Sequence, residues 1–303
     1  MPHSTQPATP IVITEQASHR IMVLDPQKDW SSPANVTWSW CPRMHPDADI
    51  DDASWGLPND ARLRRDNSTE QRYVLISDSN GLLASVPYPR GGPVAWSVNA
   101  GAAANPHGIE RLPDGNVAAA ASTGGWIRLY AASQGQHCAE CAEDALPGAH
   151  EVLWDASRQT LWAVGMDALI EYAVGGTRAA PTLTRLAVHD LPTSGGHDLQ
   201  PVGGEPKMLW VTTVAGVYWF DPASGEFTRA DHPRAADLHR VDVKSVATDA
   251  ASGTVLQTTP KPGNLSTWCT DQVDLFIGAG APVSRILPGA QIYRARWFHE
   301  SSN

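Results

Sequence analysis

A histidine that returns at one fixed register constrains this chain more than any other feature. It stands in Asn105-Pro106-His107-Gly108-Ile109, in Gly148-Ala149-His150-Glu151-Val152 and in Gly195-Gly196-His197-Asp198-Leu199. Each copy follows a small residue or a proline and opens a short run with alternating apolar residues. A fourth copy, Val243-Lys244-Ser245-Val246, keeps the spacing and puts lysine where the histidine stood. Repeats of about 40–50 residues made of short alternating runs indicate a radial β architecture, one blade per repeat.

The later parts of each repeat agree. Second strands are expected at Ile11-Val12-Ile13-Thr14, Tyr73-Val74-Leu75-Ile76, Asn116-Val117-Ala118-Ala119, Leu161-Trp162-Ala163-Val164, Leu209-Trp210-Val211-Thr212 and Thr254-Val255-Leu256-Gln257. Their first interval is about 62 residues and the rest are about 44–48, within the range of four-stranded blades. The insertion 41–60 accounts for the long one. Tight turns such as Ser79-Asn80-Gly81 and Thr123-Gly124-Gly125 introduce the third strands. Fourth strands are expected at 36–40, 94–98, 140–146, 182–188, 226–229 and 283–286. No segment sustains a helical period.

Opening strands near Ala61, His107, His150, His197 and Lys244 begin blades two to six. Blade one has none, because Ile11 already reads as its second strand. The missing strand stands at the other end, as Gln291-Ile292-Tyr293-Arg294-Ala295-Arg296-Trp297. Pairing the two ends removes two open edges and locks the ring. The expectation is an all-β, six-bladed β-propeller of four-stranded antiparallel blades, closed in blade one by the C-terminal strand. Residues 1–10 read as a disordered tail and 11–299 as a single propeller domain.

Composition excludes some classes of function. The 303 residues carry a formal net charge of −10, where a nucleic-acid binder would need a basic stripe. The same charge argues against an anionic membrane surface, and no apolar run is long enough to span a bilayer. A monomer acting on a small molecule or an oligosaccharide is expected. The first ten residues lack the apolar core of a signal peptide. The sequons at Asn35, Asn67 and Asn264 lean slightly toward secretion, so the compartment stays open between the cytoplasm and secretion with a signal removed. Cys138-Ala139-Glu140-Cys141 has redox spacing but no βαβ context. It reads as free thiols on an outer strand.

First strands line a propeller's axis, so His107, His150, His197 and Lys244 should form a ring at one mouth. Tyr293 or Arg294 fills the blade-one slot, and Asp60 or Ala61 that of blade two. Three neutral imidazoles suit a borderline divalent ion, zinc or manganese, and the expected ligands are His107, His150 and His197. Glu151 and Asp198 follow their histidines directly and are expected to orient them or to bond between blades. Lys244, Arg294 and Arg296 either greet a substrate carboxylate or pair with Glu151, Asp198 or Asp60. The insertion 41–60 and the join 260–269 could roof the mouth. Trp55 and Trp268 would then stack on a sugar, and Asp60 would stand beside them in the substrate site. His19 is a weaker candidate.

These stretches, with Ile13-Thr14-Glu15-Gln16 and Ala121-Ser122-Thr123-Gly124-Gly125-Trp126, resemble an uncharacterised family of bacterial and fungal propeller proteins. At superfamily level the arrangement is similar to NHL-like propellers and to lyases with histidines at the channel mouth: the zinc-containing amidating lyase, streptogramin lyases and manganese-dependent oligogalacturonate lyases. The resemblance implies the fold and suggests a reaction class by analogy alone.

The leading expectation is a metal-dependent lyase that performs β-elimination on a uronic-acid sugar or another carboxylate substrate. His150, Lys244 and Tyr293 supply acid and base, and Arg294 and Arg296 hold the carboxylate. A metal-dependent hydrolase of an ester or lactone, and a non-catalytic binding scaffold, are the alternatives.

Overall fold

The computed structural model describes residues 8–203 and 207–302. Most of the expected N-terminal tail, residues 1–7, lies outside the described residues. Within it, the Thr9 hydroxyl donates to the Asp249 carboxylate at 3.0 Å, and the Pro10 carbonyl accepts from the Phe298 amide at 2.7 Å.

In chain order the strands are β1 (Ile11–Glu15), β2 (Arg20–Leu24) and β3 (Val36–Trp40), then β4 (Pro58–Arg65), β5 (Arg72–Asp78), β6 (Leu82–Tyr88) and β7 (Trp96–Asn99). Blade three holds β8 (Pro106–Arg111), β9 (Val117–Ala121), β10 (Trp126–Tyr130) and β11 (Cys141–Ala145). Blade four holds β12 (Glu151–Asp155), β13 (Thr160–Val164), β14 (Ala168–Thr177) and β15 (Ala180–Asp190). Blade five holds β16 (Asp198–Pro201), β17 (Leu209–Thr213), β18 (Gly216–Asp221) and β19 (Glu226–Arg229). Blade six holds β20 (Ser245–Thr248), β21 (Val255–Thr258), β22 (Gln272–Phe276) and β23 (Val283–Ile286). The chain then returns as β24 (Ile292–Trp297) and ends in β25 (Ser301–Ser302). A four-residue helix at Ala235–Leu238 precedes blade six.

Among the described residues these strands form six antiparallel sheets, and the molecule is the six-bladed propeller that the repeat period implies. Strand β24 pairs with β1 as the inner strand of blade one, with Ile11 opposite Trp297 and Ile13 opposite Ala295. The closure therefore joins the two ends of the chain. Blade two departs from the four-strand plan, because β25 adds a short parallel pairing to Arg64 and Arg65 of β4. Phe298 follows β24 at that turn. It is buried, and its ring meets Tyr88 edge-on at 5.1 Å.

The hydrophobic core is a ring of six apolar seams, each shared by two neighbouring blades. The inner strands of a blade are buried on both faces, so they read as nearly continuous apolar runs. Strand β9, Val-Ala-Ala-Ala-Ala, is buried throughout, and its small side chains let blades two and four approach it. The seam that closes the ring joins Ile11, Ile13, Ile292 and Ala295 of blade one to Leu256, Val273 and Leu275 of blade six.

Closure makes this seam a sensitive place. Ile292 is fully buried, so Ile292→Ala should lower the unfolding free energy by about 2–5 kcal/mol. Val283, on the outer strand of blade six and 38% exposed, is the control. Val283→Ala should stay within about 0.5 kcal/mol of wild type. Urea unfolding of both variants measures the contrast.

Candidate active site at the axial mouth

One local motif builds this site four times. Two residues before each ring position the backbone is left-handed, at φ 52° for Asn105, 63° for Gly148, 84° for Gly195 and 56° for Asp242. Asn, Gly and Asp are the residues that tolerate this conformation best. In three copies the turn presents its carbonyl to the following imidazole. His107 Nδ1 lies 2.9 Å from Asn105 O, His150 Nδ1 2.8 Å from Gly148 O, and His197 Nδ1 2.8 Å from Gly195 O. A carbonyl only accepts, so Nδ1 carries the proton and Nε2 carries the lone pair.

The three rings come together. The His107 and His150 centroids are 4.3 Å apart, and those of His150 and His197 are 4.7 Å apart. Tyr293 closes the arc, with its ring 5.6 Å from that of His107. Lys244 completes it, with Nζ 2.8 Å from His197 Nε2. Because that nitrogen holds the lone pair, Lys244 is the donor. Together these groups floor a pocket of about 540 Å³, walled by Gln16, Asn59, Asn80, Asn105 and Trp268. Among the described residues no carboxylate lines it, and Lys244 is the one lining residue with a formal charge.

Burial and surrounding positive charge keep the imidazoles neutral. Burial, then the neighbouring His150 and Arg294, hold His107 well below its ordinary value. Burial takes His150 down to about 4, aided by Arg294 and Lys244 and opposed by its bond to Gly148. Burial, His150 and Lys244 take His197 to about 2. Lys244 is also lowered, chiefly by burial, against the pull of Asp242. Burial raises the Tyr293 hydroxyl to about 12.

Arg294 and Arg296 are not in the pocket, and neither is Asp60. All three lie beneath the ring and are buried. Arg294 donates to the carbonyls of His197 at 2.7 Å, Lys244 at 3.3 Å, and His107 and His150 at 3.4 Å each. Its remaining short contact is with Glu151, at 2.7 Å. Arg296 meets Asp60 at 3.1 Å, Asp198 at 2.8 Å and Glu151 at 2.7 Å. Arg62 reaches Asp60 at 2.7 Å, Glu151 at 2.7 Å and Glu110 at 3.2 Å. Arg294 and Arg296, expected to hold a substrate carboxylate or to pair with Glu151, Asp198 or Asp60, are therefore spent on the protein's own carboxylates. Burial alone would raise Asp60, but Arg296, Arg62 and Arg294 hold it below its ordinary value.

The neighbouring strand ends explain the two levels. The β1–β24 pairing slips between Ile13 and Glu15, which leaves two residues facing Thr14. The extra residue of such a bulge re-aims a side chain. Tyr293 then lines the pocket while Arg294 reaches the axis below it. Gly108 is needed for the same layer, because a Cβ there would stand 2.4 Å from Glu151 Oε1.

Of the two proposed sugar-stacking residues, the structure places one at the pocket. Trp268 is half-exposed in its wall, with Nε1 bonded to Gln16 Oε1 at 3.0 Å. Trp55 lies elsewhere. The insertion 41–60 folds as short 3-10 turns over the seam of blades one and two, where Trp55 meets Trp40 edge-on at 5.3 Å and bonds to His19 O. Neither Trp55 nor His19 reaches the imidazoles. The lining amides Asn59, Asn80 and Asn105 escaped the sequence reading, although Asn105 stands at a repeated left-handed turn. Arg62 and Glu110 escaped it too. The signal for Arg62 is Asp60-Ala61-Arg62-Leu63-Arg64, charges at period two in an inner strand.

The donors do not fit the expected metal. Lys244 occupies the lone pair of His197, its charge opposes a second cation, and Arg294 adds another charge below. Among the described residues no group of three or more His, Cys, Asp and Glu side chains is disposed to hold a metal ion. Cys138 and Cys141 are free thiols, as read from the sequence, and so are Cys41 and Cys269. Among the described residues no helix is long and apolar enough to cross a membrane.

Comparison with known proteins places the chain. A family model matches residues 2–302, nearly its whole length. The chain belongs to DUF6528, a family of unknown function. No curated protein is similar to it in sequence. Solved structures share the fold. The virginiamycin B lyase from Staphylococcus aureus superposes with a TM-score of 0.54 at 14% identity, over 94% of this chain and 86% of that one. A catalytically inactive variant of that lyase with quinupristin gives 0.51 at 14% identity, over 95% and 88%. A protein of unknown function from Bacteroides caccae gives 0.58 at 13% identity, over 95% and 98%. At such identities the likeness shows the fold alone, and the expected propeller family is borne out as DUF6528, a family of unknown function.

Burial of the imidazoles sets a pH dependence of stability. His150 takes its proton at an ordinary value of 6.5 when unfolded and at about 4 when folded. As pH falls through 6.5 the unfolded state binds the proton first. The stability is whole above that pH, and about 3 kcal/mol of it is lost by pH 4. His150→Asn, whose amide can keep the bond to Gly148 O, should lose less stability than wild type on that descent. Urea unfolding at several pH values reads the difference.

Proposed function

We propose that this DUF6528 protein is a lyase that performs β-elimination on a carboxylate-bearing substrate, with a uronic-acid sugar as the favoured class. The observation that carries the reading is the pocket floor. Two neutral imidazoles, His107 and His150, line with their Nε2 lone pairs a space that, among the described residues, holds one ammonium and no carboxylate. An anion has one partner there, Lys244. A hydroxylated ring has two acceptors on the floor, amides on the walls and the face of Trp268.

In this reading Lys244 binds the substrate carboxylate and favours loss of the α-proton. His150 Nε2 takes that proton, the Cα=Cβ bond forms, and the Cβ–O bond breaks. The Tyr293 hydroxyl returns a proton to the leaving oxygen. His150 then re-protonates Tyr293 directly or through water, which balances the cycle. No step calls on a metal ion. A lyase on the same fold, the virginiamycin B lyase, supports the reaction class by analogy of fold.

The test is turnover of a panel of polyuronides, followed by the ultraviolet absorbance of the unsaturated uronate and by product mass. Elimination leaves the summed mass of the products equal to that of the substrate. A gain of one water would give the hydrolase reading instead, and binding without turnover would give the scaffold. His150→Asn should lower kcat by about 10²–10⁴-fold. The rate should rise with pH through about 4, as His150 loses its proton, and fall at alkaline pH as Lys244 loses its own.

A further inference from the structure

We propose that Lys244 is a built-in cation, standing where a divalent ion would otherwise bind, and that it fits the pocket to a single carboxylate rather than to a metal chelate. The nature of that anion rests on the elimination reading. The cation claim does not, because it concerns binding alone.

The repeated turn supports it. Four blades carry the left-handed residue at the same place, and three of them follow it with histidine. Each imidazole is anchored through Nδ1, which leaves Nε2 for a ligand. Three such nitrogens are a known donor set for a catalytic zinc ion. The rings already stand 4.3 and 4.7 Å apart in sequence around the axis. As they stand, no three such side chains among the described residues are disposed to hold a metal ion, and one side chain occupies the spot where it would bind. Lys244 Nζ, 2.8 Å away, holds His197 Nε2 and brings a positive charge to the spot. Lys244 is 9% exposed, so water does little to screen that charge.

The consequence for the ligand is specific. A divalent ion has several open positions and favours chelating oxygens. An ammonium already bonded to His197 has two donors left, enough for one carboxylate. The free nitrogens of His107 and His150 then accept from hydroxyls, which a metal would have prevented by ligating them.

Zinc titration of the whole chain by calorimetry tests this directly. Wild type should bind zinc weakly. Lys244→Met frees three imidazoles, and Lys244→His offers a fourth, with the Asp242 carbonyl placed to take its Nδ1–H. Each variant, shown to be folded by circular dichroism, should bind one zinc about a hundredfold more tightly than wild type. Adding His150→Asn should abolish that gain. Tight binding of one zinc by wild type, lost in His150→Asn, would overturn the proposal, as would folded variants without any gain. Galacturonate is the second probe. It should bind wild type equally well with and without a chelator, and about tenfold more weakly in Lys244→Met. A requirement for added metal, or unchanged affinity in Lys244→Met, would overturn the proposal. Neither titration involves turnover, so a failure of the elimination reading leaves both results standing.

Discussion

A single guanidinium holds the centre of this propeller. Arg294 extends from the closing strand to the axis and bonds the backbone carbonyls of His107, His150, His197 and Lys244. Those four residues begin the inner strands of blades three to six. Its fifth partner is Glu151, and Asp60 of blade two stands 4.0 Å away. One side chain of blade one therefore touches every other blade. Arginine suits the task, because five donors in a fixed plane meet several acceptors at once and never lose their charge.

This clamp has two effects on the mouth above it. It fixes the height of the ring residues, since each is held through its own carbonyl, while the turn before each histidine holds its imidazole. It also places a positive charge directly under the imidazoles. That charge, with burial and Lys244, keeps them neutral, and a neutral imidazole offers an acceptor where an imidazolium would not. The cost of burying the arginine is offset below, where Arg62, Arg294 and Arg296 share Asp60, Glu151 and Asp198. Breaking such a layer leaves an uncompensated charge in the interior and costs about 3–5 kcal/mol. Binding chemistry at the mouth and closure of the ring thus depend on the same residues.

Much of this was legible in the sequence, for a physical reason. A propeller repeats one supersecondary unit, so the period of the β-branched runs gave the blades, and the missing first strand gave the closure. The recurrence of histidine at one register marked the mouth, because equivalent positions of a ring must converge. What stayed hidden was the vertical order along the axis. Register tells which residues face the channel but not at what depth, and a bulge opposite Thr14 separated Tyr293 from Arg294 by one level. Hence Arg294, Arg296 and Asp60 looked like substrate contacts and are instead the layer below. The place of Trp55 was hidden as well. An insertion has no repeat to align with, and its packing against Trp40 depends on contacts distant in sequence.

Three imidazoles are held neutral, with the proton on Nδ1, above a fixed guanidinium. Nitrogen-15 chemical shifts of the histidine rings, followed from neutral pH down to about pH 5, measure that state most directly. His107, His150 and His197 should each show a protonated Nδ1 and an unprotonated Nε2 across the range, and Arg294→Gln should disturb all three together. Imidazoles that titrate near their ordinary value, or that carry the proton on Nε2, would contradict the account.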